Sequence, residues 1–131
     1  MQPTQDAVSA LIAWSRSDDA DAARGVFRFR GTLPVFTGHF PGQPLVPGVY
    51  LLATIIHLAG LAVRSHSTAA AGGAALQLAA VERAKWSAPA YPDQDLQVAI
   101  TWTRAERMIS VDGTVAVAGV PCSACRVVLR D

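Results

Sequence analysis

Charge and sulfur are both scarce in this chain. Charged residues make up 16% of its 131 positions, and 11 Lys and Arg against 10 Asp and Glu leave a formal net charge of +1. No basic run occurs, which with that balance argues against nucleic acid as the main partner. Cys122 and Cys125 are the only cysteines, too few for a disulfide framework, so the cytoplasm is the natural compartment. No apolar run reaches the ~20 residues that a membrane-spanning helix needs. The longest, residues 49–63, is interrupted by Thr54 and His57. The opening stretch MQPTQDAVSALIAWSRSDDADAARG lacks a basic start and carries acids soon after its apolar patch, so it does not read as a signal peptide. Low-complexity linkers, internal repeats and composition shifts are also missing, and residues 1–131 are expected to form one domain.

What is present is apolar. Hydrophobic residues reach 51% and the mean hydropathy is +0.29. A chain this small and this apolar is expected to cover part of its surface with a partner, as an oligomer. Val8, Leu11 and Ile12 recur at helical spacing and predict a short N-terminal helix, with a polar loop following to about residue 24. In GVFRFRG, Phe27 and Phe29 alternate with Val26, Arg28 and Arg30, as in a strand with one aromatic face. From residue 74 the pattern turns to β. LQLAAVERAKW reads as a strand and APAYPDQD as a turn region. In LQVAITWT, Leu96, Val98, Ile100 and Trp102 alternate with polar or small residues. Two more strands follow. Asp112-Gly113 is locally the stronger hairpin signal between them, with Ala118-Gly119 as its rival. One long apolar helix, an early strand and a run of later strands predict an α+β fold, with an antiparallel sheet wrapped around the helix.

The stretch GHFPGQPLVPGVYLLATIIHLAG, residues 38–60, joins a proline-rich polar loop to that helix, with Pro47 suited to the first turn. GHFPGQPLVPGV resembles the active-site signature of the 3-hydroxyacyl-acyl-carrier-protein dehydratases, the FabZ/FabA type with the hotdog fold. VERAKWSAPAYPDQDLQV is similar to the same family's second, less specific stretch. The resemblance runs from about Gly25 to the C-terminus and favours Ala118-Gly119 as the final turn. It implies an acyl group on a carrier-protein phosphopantetheine as substrate, a homodimer or a heterodimer with another hotdog chain, and neither cofactor nor metal. His39 would be the base that removes the C2 proton, since imidazole titrates near neutrality. The N–H of Gly48 would polarise the thioester carbonyl, because a helix N-terminus leaves such donors unpaired. Phe40, Pro47, Val49, Tyr50 and Ala53 would surround the acyl group. Tyr50 stands where an aliphatic residue is common, and either narrows the tunnel, fits an aromatic acyl chain or simply packs.

One position departs from the family. Five residues after Gly48 the family carries a Glu or Asp that handles the leaving hydroxyl; here it is Ala53, and one turn later His57 replaces a common Gln. Three explanations stand. His57, on the same helix face, takes over as the acid, against the plainer reading of a buried, hydrogen-bonded core histidine. A second dehydratase-like chain supplies the carboxylate across a dimer interface, in a pathway of fatty-acid or polyene-like biosynthesis. Or the protein binds acyl thioesters, hydrolyses them, or serves as the non-catalytic subunit of an active partner. Arg83 and Lys85 share one face of their strand and suit a phosphate or an acidic carrier protein as well as an ordinary solvated face. Cys122 and Cys125 have CxxC spacing, but in a strand their side chains point to opposite faces, so they read as small core residues rather than a metal site.

Overall fold

A computed structural model describes residues 1–37, 44–65 and 76–131. Its elements are the helices α1 (Pro3–Ala10) and α2 (Gly48–Arg64) and the strands β1 (Leu11–Arg16), β2 (Ala22–Phe27), β3 (Gln77–Trp86), β4 (Leu96–Ala105), β5 (Met108–Val117) and β6 (Val120–Arg130), with a 3-10 turn at Pro34–Phe36. The strands form one sheet in the order β1-β2-β4-β5-β6-β3, every neighbouring pair antiparallel.

Alternation decides which face of the sheet receives the helix. In β4, Leu96, Val98, Ile100 and Trp102 are buried, while Gln97, Thr101 and Thr103 are exposed. β5 and β6 continue the pattern with Ile109, Val111, Val115, Cys125, Val127 and Leu129. Against this face α2 lays Leu51, Ile55, Leu58 and Ala62, all nearly or fully inaccessible. Gly113 of β5 lies directly beneath Ile55: a Cβ there would come within 2.6 Å of Ile55 Cγ2. Asp112-Gly113 is therefore a point of close helix approach rather than a turn. The β5–β6 turn is Ala118-Gly119, both at positive φ (49° and 81°), as a two-residue primed hairpin demands.

The N-terminal segment differs from the expected helix and loop. Helix α1 stops at Ala10, and Leu11 to Arg16 form strand β1, paired with β2 from Leu11–Phe27 to Arg16–Ala23. Ile12 and Trp14 favour an extended chain, and the open flank of β2 supplies the hydrogen-bonding partner that the local sequence does not reveal. β2 accordingly begins at Ala22, inside the segment expected to be loop. Phe27 and Phe29 are buried as the alternation predicts, and Arg28 turns outward to Asp95.

Both ends of α2 are fixed by other elements. Val46 N–H donates to the Ala90 carbonyl at 2.8 Å, tying the approach to the helix to the β3–β4 connection. At the far end, Arg16 donates to the Ala62 carbonyl at 2.7 Å while its guanidinium lies 4.6 Å over the Trp102 ring. A cation on the last turn also suits the helix dipole. Among the described residues no helix is long and apolar enough to cross a membrane.

Candidate functional site

The N-terminus of α2 is the natural centre, because four backbone N–H groups there lack helical partners. Pro47 caps the helix without a side-chain hydrogen bond, and its carbonyl accepts from Tyr50 N–H at 2.9 Å. Among the described residues nothing accepts from the N–H of Gly48 or Val49. Gly48 packs beneath the edge of Trp86: a Cβ would lie 2.5 Å from Trp86 Nε1. A glycine is required there by the indole of β3, in addition to any ligand's need for close approach. His39 and Phe40, the expected base and its neighbour, lie outside the described residues.

Two cavities meet at this helix mouth. One, of about 640 Å³, opens between Gly48, Val49, Trp86 and Ala88. The other, of about 390 Å³, runs along the outer side of α2, past Val49, Ala53 and His57 to Arg64. Val49, 43% exposed, borders both. Leu52 and Ile56 of α2 and Leu76 and Leu78 from β3 and the residue before it make the second cavity mainly apolar, and Pro3 and Thr4 of α1 close one side.

The polar inventory of that groove is short. Among the described residues no carboxylate lines it, and the whole chain has none between Asp21 and Glu82. His57 is half-buried, with its ring edge-on to Phe27 at 6.3 Å. Burial pushes its pKa below the ordinary 6.5, because a low-dielectric setting disfavours the charged imidazolium. At neutral pH His57 is therefore neutral, the wrong form for protonating a departing hydroxide.

Other expected residues are placed differently. Tyr50 is fully buried behind the groove, its ring 5.1 Å from Phe29 and its hydroxyl bonded to Asp6, so it lines neither cavity at the helix. Arg83 and Lys85 do share a face, but it is the sheet face opposite to α2. Their register partners are Arg126 and Ala124, outward-facing residues beside Asp112 and Thr114, and Arg126 is ion-paired with Asp112 at 2.8 Å. The sheet thus stands between them and the helix mouth. Cys122 and Cys125 are both buried; Cys125 lies 3.4 Å from Ser123 Oγ, and Cys122 faces the Pro89 carbonyl instead. Trp86 and the Asp6–Tyr50 pair were not legible as parts of this region. Both contacts join residues far apart in the chain, and neither alters a local periodicity.

Comparison with known proteins places these features. The family model of ApeI-like proteins, described as ApeI dehydratase, matches residues 15–120. The 3-hydroxyacyl-[acyl-carrier-protein] dehydratase FabZ of Mannheimia succiniciproducens is 36% identical over 91 residues, which are 63% of this chain and 59% of that protein. FabZ of Vibrio atlanticus is 36% identical over 93 residues, 70% of this chain and 62% of its own. The chain thus spans about three fifths of the length of these curated relatives. Among solved structures, the dehydratase heterocomplex ApeI:P from Xenorhabdus doucetiae superposes with a TM-score of 0.65 at 23% identity, covering 92% of this chain and 96% of that one. A phenylacetic acid degradation-related protein from Ralstonia eutropha gives a TM-score of 0.75 at 13% identity, covering 95% and 88%. These two likenesses concern the fold, which is a hotdog.

Proposed function

Because the chain belongs to the ApeI-like dehydratase family, we propose that it is one half of a 3-hydroxyacyl thioester dehydratase whose carboxylate is supplied by a second hotdog chain. The observation that carries this reading is the groove along α2: it presents Ala53 and a neutral His57 and no acid among its described residues.

Elimination of water breaks the C2–H and C3–O bonds, and the two events need different groups. In this reading His39 takes the C2 proton and the Gly48 N–H binds the thioester carbonyl, where negative charge develops. Val49 continues that surface into the groove, which receives the acyl chain. The hydroxyl at C3 leaves as water and must gain a proton. Ala53 has none to give, and His57 holds its pair of ring nitrogens in the neutral form. A carboxylic acid presented from the partner's helix fills that role, and the proton abstracted at C2 and the proton donated at C3 balance the released water.

The surface supports a partner. β3 ends the sheet, so one side of this ten-residue strand has no neighbour among the described residues. Leu78, Val81 and Trp86 are 47%, 43% and 51% exposed along it. A long apolar edge of this kind pairs with another chain or aggregates. The dehydratase heterocomplex with the same fold supports pairing with a different hotdog chain, and the FabZ relatives support a carrier-protein-linked substrate.

The test is dehydration of a 3-hydroxyacyl carrier-protein thioester by the isolated chain beside its Ala53→Glu variant. The wild type is expected to be inert alone and the variant to gain turnover, since Ala53 faces the groove. Turnover by the wild type alone would show that this chain needs no partner acid.

A further inference from the structure

Helix α1 is only eight residues long and buries just two alanines, Ala7 and Ala10. Alanine side chains offer little apolar area, so packing by itself holds this helix weakly. Its firmest attachment is polar. The Tyr50 hydroxyl donates to the Asp6 carboxylate and accepts from the Gln2 backbone N–H at 3.4 Å. Gln2 and Asp6 bracket Pro3 and Thr4, the two α1 residues that form a wall of the groove beside Ala53 and His57. The post of the clamp is rigid: Tyr50 is 0% exposed and braced against Phe29. Burial and the Asp6 hydrogen bond push its pKa up to about 12, so it remains a donor throughout the physiological range.

We propose that the Asp6–Tyr50 clamp sets the length of acyl chain this protein accepts, by pinning Pro3 and Thr4 as a fixed wall of the groove along α2. The inference rests on reading that groove as the acyl site. Tyr50 acts here as a positioning residue, since it lines neither cavity at the helix and works through α1. An acyl chain that enters at Val49 and runs past Ala53 and His57 lies against the α1 wall on one side, and chains that need more room must displace it. Freeing the wall widens the groove without altering the helix mouth.

The experiment is calorimetric binding of a graded series of straight-chain acyl-pantetheine thioethers, which cannot eliminate water and so report on the groove without catalysis. Wild-type affinity is expected to rise with length and then fall at a limit. Tyr50→Phe keeps the ring on Phe29 and removes the hydroxyl; Asp6→Ala removes the acceptor from a half-buried position. Both should move the limit to longer chains and raise the long-to-short affinity ratio by about tenfold, the order that a single chain-length step is worth in a hydrophobic pocket. Asp6→Asn retains an acceptor and should keep the wild-type ratio. Amide exchange in α1 should quicken in the first two variants and not in the third. An unchanged ratio overturns the proposal, whether α1 exchange has quickened (the wall does not set the limit) or not (the clamp does not hold the wall). Failure of the wild type to bind any length overturns the acyl-groove reading itself, and is seen before any variant is compared.

Discussion

Ala53 and His57 carry the chemical argument at the scale of single residues. In the proposed elimination, a methyl group at Ala53 leaves one side of the reaction without a proton donor, and the imidazole one turn on is held neutral by its surroundings. That second statement has a consequence for stability. A histidine whose folded pKa lies below its unfolded value near 6.5 makes the folded state the poorer proton binder. Its contribution to stability is full above that pH and is lost as the pH falls through the folded-state pKa. Urea midpoints measured at pH 7.5 and at pH 5 should therefore drop more for the wild type than for His57→Gln. Equal drops would show that His57 is as readily protonated in the folded chain as in the unfolded one, and would reopen its candidacy as the acid.

Among the elements, α2 and the sheet beneath it are the most constrained pair. Gly113 is there because Ile55 occupies the space its side chain would need. Ile55 is fully buried and branched at Cβ, so it has little freedom to retreat. Gly113→Ala should destabilise the protein by about 1–3 kcal/mol, the usual range for overpacking, and should cost less in an Ile55→Ala background, where none of the three crowding side-chain atoms remains. Chemical denaturation measures both; a Gly113→Ala variant as stable as the wild type would mean that the helix is free to rise from β5. The same glycine shows where the sequence misleads. Asp-Gly between alternating apolar residues is a hairpin signature, and nothing local distinguishes it from a glycine needed for helix contact. Leu96, Val98, Ile100 and Trp102 were legible, because burial on one face writes a two-residue period directly into a strand. Leu11 to Arg16 were not, because their state depends on the free flank of β2.

For the whole molecule the question is what a single copy leaves unfinished. The hotdog fold was legible through the resemblance of GHFPGQPLVPGV to the dehydratase signature, and the start of the helix through Pro47 and the long apolar segment behind it. The acid's absence was equally plain at Ala53. What the sequence could not display was which groups converge from distant segments: Trp86 over Gly48, Asp6 on Tyr50, and Arg83 and Lys85 turned to the far side of the sheet. The exposed apolar edge of β3 and the acid-free groove are two aspects of one incompleteness. In the proposed reading, a second hotdog chain covers the first and completes the second.

The most direct test of a site shared between chains is complementation by two defective copies. The wild type keeps His39 and lacks the acid; a His39→Ala/Ala53→Glu double variant carries the acid and lacks the base. Each is assayed alone for dehydration of a 3-hydroxyacyl carrier-protein thioester, and then both together after mixed refolding. The account predicts no turnover from either preparation alone and clear turnover from the mixture, because only a mixed dimer holds His39 and the carboxylate at one site. An inert mixture, beside an Ala53→Glu chain that is active by itself, would contradict it and place base and acid within a single chain.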